Sequence, residues 1–335
     1  MLNNAARQSI GTHNMALTVE QKAILGEGLL WHAASQSWWW TDIESSCLYR
    51  WDGTSNVAQQ FKLADRVGSF THCTSGRVLL GMAKWICIAK DINSLDSALP
   101  AQLSVQRLVA VDPIESRTRI NDGRTDREGN FVFGTMNEAP EKRPIASFYQ
   151  YSLQHGLRRL ALPAVAIANS ICFSLDGATM YFSDTLTRRI MQCDYDAQGA
   201  QVSQVRVFAH VADCANGVAA YPDGSVIDRN GCLWNAQWGA AQIVQYAPNG
   251  KTLRMIPVPV KNPTCPAFGG VDLDILSVTT SRQEMTEQEL IQTPHAGGLF
   301  SIVLDEPTGV ADTLFNDLDV DQKLTHKGAA ILRMR

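Results

Sequence analysis

The chain holds 335 residues, 45% hydrophobic and 19% charged, with a net charge of −4. That composition can bury a large core and excludes a disordered chain, while the lack of clustered Lys and Arg excludes nucleic acid as a partner, since phosphates demand them. No window approaches the roughly 18 apolar residues of a membrane span, and the start, MLNNAARQSIGTHNMALT, has no secretory apolar stretch, so a soluble cytoplasmic protein without a membrane partner is expected.

Residues 1–20 read as an N-terminal extension and 21–335 as a single domain. TVEQKAIL is a candidate short helix, followed by GEGLLW, where Glu27 stands between two glycines in an apolar stretch. From there the chain keeps returning to one pattern, a tight polar turn and then a short apolar run. SQSWWWTDI, TSGRVLLGM, DREGNFVFGTM, LDGATMYFSDT, DRNGCLWNAQW and VDLDILSVTTS carry it in order. Each run leads into another strand with its own turn, as in CLYRWDGTS, RIMQCDYDAQG and QIVQYAPNGK, which read as alternating and half-exposed. Asp-Gly or Asn-Gly pairs at 52–53, 176–177, 223–224 and 249–250 suit tight hairpins. TEQELIQ, at 286–292, is a second candidate helix, and the segment after 303 is long, polar and without a motif.

The run centres recur at a spacing of roughly 40 to 50 residues, as propeller blades do. Six repeats of short antiparallel strands predict an all-β fold, a six-bladed β-propeller closed into a ring. A large β-sandwich could share the turns but would not explain the even spacing. The eight cysteines form no C-x-x-C pair and lie beside apolar residues, so they read as structural thiols. The histidines are isolated, and no nucleophile elbow, dinucleotide motif or phosphate loop is present.

Propellers bind ligands at the channel mouth, so polar residues just ahead of the apolar runs matter most. Glu27 is costly in an apolar stretch unless paired or bound to a cation, though it could also be a solvent-facing turn residue. Asn169, inside AVAIANSICF, must find hydrogen bonds, from neighbouring backbone or from a ligand. Asp223 sits in Pro-Asp-Gly, a common turn on local grounds. Together, a Glu, an Asn and an Asp from three blades offer oxygen-only ligands to a hard divalent cation.

GEGLLWHAASQSWWWTDIESSCLYRWD, RINDGRTDREGNFVFGTM, NSICFSLDGATMYFSDTLTRRIMQCDYD, PDGSVIDRNGCLWNAQWGAAQIVQYAPNGK and CPAFGGVDLDILSVTTSR with AGGLFSI resemble the SMP-30/gluconolactonase/regucalcin family, in order over roughly residues 24 to 303. The resemblance implies a six-bladed propeller that holds one divalent cation (Ca²⁺, Zn²⁺, Mg²⁺, Mn²⁺ or Fe²⁺) and hydrolyses a small-molecule sugar lactone. It assigns the metal to Glu27, Asn169 and Asp223, and substrate contacts to Arg119 and Asn121 of R-x-N-D-G. Asp223, beside the metal, is expected to serve as catalytic general base. A further family Glu is offered here by GTMNEAPEKR as Glu138, taken as a substrate contact, or Glu141. Leu29 and Ser170 replace the family's usual Pro and Gly beside metal ligands. Asp122, Arg124, Asp126 and Arg127 are read as loop and turn chemistry. Competing readings are a non-enzymatic calcium-binding propeller and an esterase or phosphotriesterase-like hydrolase; a monomer or weak homo-oligomer is expected.

Overall fold

Trp38, Trp39 and Trp40 are all buried, yet successive side chains of a strand point to opposite faces. Trp38 and Trp40 enter a cluster with Trp31, Tyr49 and Ile275, while Trp39 turns the other way onto Phe61, Phe70 and Leu80. A strand covered on both faces reads as an unbroken apolar run. Each such indole buries on the order of 200 Å², worth about 5 kcal/mol before ordering entropy is counted.

The computed structural model describes residues 14–89, 101–214 and 217–318, and it is an all-β, six-bladed propeller. The inner strands are Gly26–His32, Val67–His72, Thr118–Thr125, Ala168–Phe173, Tyr221–Ile227 and Pro263–Gly269. They stand side by side around a channel, the first against the last. Each runs from an upper face to a lower hairpin and pairs antiparallel with the strand that follows. The apolar runs of the sequence are therefore second strands, and the polar stretches ahead of them are the channel lining. RIMQCDYD, a third strand, alternates as expected, but Cys47–Trp51 and Gln242–Tyr246 are buried along most of their length.

Ala16–Val19, grouped on sequence with the N-terminal extension, pairs with Leu299–Val303 as the outer strand of the last blade. Residues 1–13 of that extension lie outside the described residues. TVEQKAIL does not form the expected helix, because its first residues join this strand and Leu25 bridges Ser281; pairing with the blade overrides local propensity. TEQELIQ does form one, Glu287–Gln292, started by a capping box between Thr286 and Glu289.

Every inner strand carries one register shift in its upper half, at Glu27/Leu30, Val67/Ser69, Ile120/Gly123, Asn169/Cys172, Pro222/Ser225 and Pro263/Pro266. A bulge re-aims a side chain where a flat strand would keep alternating. On the lower face, residues 308–318 form a strap. Thr308 O accepts from Arg229 N, Asp312 pairs with Arg124, Asn316 N donates to Gly129 O, and Phe315 bridges Cys73. Asp317, wholly buried, accepts from Thr74, Ser75 and Arg77. Between Arg124, Phe173, Ile227 and the strap lies a small cavity of about 10 Å³. Residues 319–335 lie outside the described residues.

Candidate active site

The upper end of the channel opens into a cavity of about 400 Å³ whose wall includes Glu27, Arg119, Asn121, Asn169 and Asp223, brought together from four blades. Each stands at or beside the bulge of its inner strand.

Pro222-Asp223-Gly224 is not the turn its composition suggests. It lies within the strand Tyr221–Ile227, paired with Trp238 through Leu233 and bulged between Pro222 and Ser225. The proline is tolerated because the inner strand is an edge facing the channel. Gly224 is required by crowding: a Cβ there would stand 2.8 Å from Cys265 Cα and 2.9 Å from Thr264 O. Asp223 is thereby held against the next blade, with its side chain buried.

A chain of donors runs along the wall. Arg119 Nη1 donates to Asn121 Oδ1 at 2.7 Å, and Asn121 Nδ2 donates to Asn169 Oδ1 at 3.0 Å. Asn169 Nδ2 donates to Thr185 Oγ1 at 2.8 Å, whose hydroxyl donates to Pro222 O at 3.1 Å. The order fixes the amide of Asn169 with its oxygen toward Asn121 and leaves that oxygen a second lone pair. Arg119 and Asn121, two residues apart, share this face as expected for an extended strand.

Glu27 and Asp223 both line the cavity, with their carboxyls close enough to influence one another. Burial, then the charge of Asp122, raises the Glu27 carboxyl to about 8 despite the nearby Gly28 amide and Arg119. Burial, followed by the charges of Glu27 and Asp122, raises Asp223 well above the carboxylate range. Asp122 itself is not loop chemistry. It sits on the inner strand beside the pair and accepts the Ile171 amide at 2.8 Å. Its alternation with Asn121 hid it, and the bulge between Ile120 and Gly123 breaks that alternation. Arg124, likewise read as a turn residue, lies low on the same strand against Asp312; Asp126 does occupy the hairpin.

Neither Glu27 nor Asp223 forms an ion pair among the described residues. Two acids so placed need either a shared proton or a cation. With the free lone pair of Asn169 they supply an oxygen-only donor set that fits a hard divalent ion. The residues present therefore suit such a metal.

Ser170 follows Asn169 at φ 62°, in the left-handed region. Its hydroxyl donates to Asp223 O at 2.6 Å and accepts from Ser183 Oγ at 3.0 Å. Asn235 Nδ2 adds a bond to the same carbonyl at 3.0 Å. The departure from glycine thus ties two bulges together.

Glu138 stands outside the cavity wall. Arg66 grips it through both nitrogens at 2.6 and 3.0 Å, and Arg119 Nε lies 3.4 Å from its Oε1. Glu141 points instead toward Arg117, 3.8 Å away. Lys142, Thr185, Tyr221 and Trp238 also line the wall; nothing in their local sequence marked them, since loops and neighbouring strands bring them in. His32 and His72, isolated in sequence, stack at 4.1 Å at the lower end of their strands, away from the cavity. Burial lowers His72 to about 3.

Fold and site together define a six-bladed propeller with an acidic, oxygen-lined channel mouth. The SMP-30/gluconolactonase/LRE-like family model matches residues 25–282, and the chain belongs to that family. It is 39% identical over 285 residues to L-arabinolactonase of Azospirillum brasilense, covering 85% of this chain and 90% of that one. It is 30% identical to 6-deoxy-6-sulfogluconolactonase of Pseudomonas putida, over 89% and 97% of the two chains. Among solved structures, the calcium-binding protein regucalcin of Agrobacterium tumefaciens superposes with a TM-score of 0.80 at 26% identity, over 92% of this chain and 99% of that one. No helix among the described residues is long and apolar enough to cross a membrane.

Proposed function

We propose that the chain hydrolyses a sugar lactone, with one divalent cation held by Glu27, Asn169 and Asp223. The observation that carries this reading is the convergence of two carboxylates, two amides and a guanidinium from four blades on one cavity. Its volume lies near the small end of ligand pockets, about 300 to 1,000 Å³, which suits a single sugar ring. The lactonase names of the two relatives above support the substrate class.

Bound there, the cation supplies Lewis-acid polarisation of the lactone carbonyl. Asp223 takes a proton from the attacking water. The water oxygen bonds to the carbonyl carbon, the ring C–O bond breaks, and the departing ring oxygen gains a proton, leaving the open-chain acid. Arg119 and Asn121, locked to one another, orient the ring through its hydroxyls. The upper wall, with Trp238 and Tyr221, offers apolar surface to the sugar's C–H face.

The test is a pH-indicator assay over a panel of aldono- and aldarolactones, using protein stripped by chelator and reloaded with single divalent cations. Cation-dependent acid release from at least one lactone is expected. Silence across the panel overturns the reading and favours a calcium-binding propeller without turnover.

A further inference from the structure

Resting on the cation reading above, we infer that Thr185 is a positioning residue, which readies Asn169 for a cation by fixing which way its amide lies. Thr185 opens the short 3₁₀ turn Thr185–Thr187, in the upper loop between the strands Thr179–Asp184 and Arg189–Asp196 of the fourth blade. Hydrogen bonds pin this loop at both ends. Asp184 accepts the Ala166 and Ile167 amides at 3.1 and 3.2 Å, and Thr185 N donates to Ile167 O at 3.0 Å. Arg188, at φ 55°, reaches across to the fifth blade and donates from Nε to Ala220 O at 3.0 Å. The loop is thus fastened just ahead of Asn169 on one blade and just ahead of Asp223 on the next.

The direction of the bonds follows from what each group can do. Pro222 O is a carbonyl and can only accept, so the single hydroxyl proton of Thr185 goes to it, at 3.1 Å. What the hydroxyl keeps for Asn169, 2.8 Å away, is a lone pair, and only the NH₂ side of an amide can meet a lone pair. Asn169 Nδ2 makes this one hydrogen bond among the described residues. Asn121 holds the other end less strictly, because its Nδ2 donates to Ala168 O as well as to Asn169 Oδ1, both at 3.0 Å, and keeps a partner if the amide turns. Without the Thr185 hydroxyl, nothing on the nitrogen side commits the amide. Turned over, it would offer N–H groups in place of the oxygen to a cation shared with Glu27 and Asp223, and N–H groups repel a cation. Partners that orient a metal ligand in this way commonly govern affinity as strongly as the ligands' own geometry.

The experiment titrates the chelator-stripped full chain with Mn²⁺ and with Ca²⁺ in a calorimeter. Thr185→Val keeps the branched side chain and exchanges its hydroxyl for a methyl group. It should weaken cation binding about 10- to 100-fold, whereas Thr185→Ser restores the hydroxyl and should bind within about threefold of the native chain. The same exchange in an Asn169→Asp background isolates the mechanism. The two oxygens of a carboxylate are equivalent, so no orientation is left to set, and Thr185→Val should there cost less than about threefold. If Thr185→Val does not fold, Thr185→Ala carries the same predictions. Native affinity in folded Thr185→Val overturns the inference, as does a serine variant as weak as the valine one. So does an equal loss in the two backgrounds, which would make Thr185 a general support of the loop. A native chain that binds neither cation overturns the cation reading and this inference with it, while a failure confined to the variants leaves that reading standing.

Discussion

Replacing Asp223 with asparagine changes one charge and almost no volume. In the metal-free chain the Glu27 carboxyl is held at about 8 against an ordinary 4.5. At 1.36 kcal/mol per pH unit this corresponds to roughly 5 kcal/mol of unfavourable free energy once the group is fully ionised. The folded chain binds more protons than the unfolded chain between those two values, so metal-free stability falls as pH rises from about 4.5 through 8. Asparagine keeps a polar neighbour for Glu27 and removes a buried carboxyl that is itself costly to ionise, and a gain on the order of 2 kcal/mol is expected at pH 8. In a domain of this size that raises Tm by a few degrees. Differential scanning calorimetry in chelator at pH 6 and 8, then with excess cation, reads all of this. The variant should melt above the native chain in chelator at pH 8 and show a shallower pH dependence. Added cation should raise the native Tm, as any ligand of the folded state does, and move the variant much less. A variant that melts below the native protein in chelator at pH 8, or a metal-free native protein that grows more stable from pH 6 to 8, refutes the reasoning.

Three substitutions at two positions probe the scaffold. Ser170→Ala keeps a side chain at φ 62° and loses the bond to Asp223 O, so cation affinity measured by calorimetry should fall several-fold with the fold intact. Ser170→Gly loses the same bond but relieves the left-handed backbone, and should unfold about 1 kcal/mol later than the alanine variant; the reverse order would dismiss the strain. Phe315→Ala empties a fully buried site stacked on Tyr151 and should cost about 3–5 kcal/mol in urea unfolding, with turnover of the folded protein retained because the cavity is at the other end of the channel. A loss below about 1 kcal/mol would mean that the strap contributes little to the core.

The blade count was legible because second strands are buried on both faces and announce themselves as apolar runs at even intervals. Glu27 and Asn169 were legible as polar interruptions of that pattern, Asp223 only in company with them, and Arg119 and Asn121 through the family resemblance. What local sequence concealed was the backbone between them. Pro-Asp-Gly satisfies the chemistry of a turn, and only the closeness of Cys265 explains why its glycine serves a bulge instead. Asp122 was passed over because strict alternation turns one of two adjacent residues away from the channel. The strap was invisible for a different reason: Asp312, Phe315 and Asp317 find their partners in the second and third blades, and nothing in a polar tail reports contacts so far back in the chain.

That strap also bears on turnover. On the lactonase reading, with the strap lying across the lower face, a lactone arriving and an acid departing would share the cavity's upper opening. Release of the acid then precedes the next capture. Steady-state rates should show the open-chain acid as a competitive inhibitor, with KM rising and kcat unchanged as it accumulates.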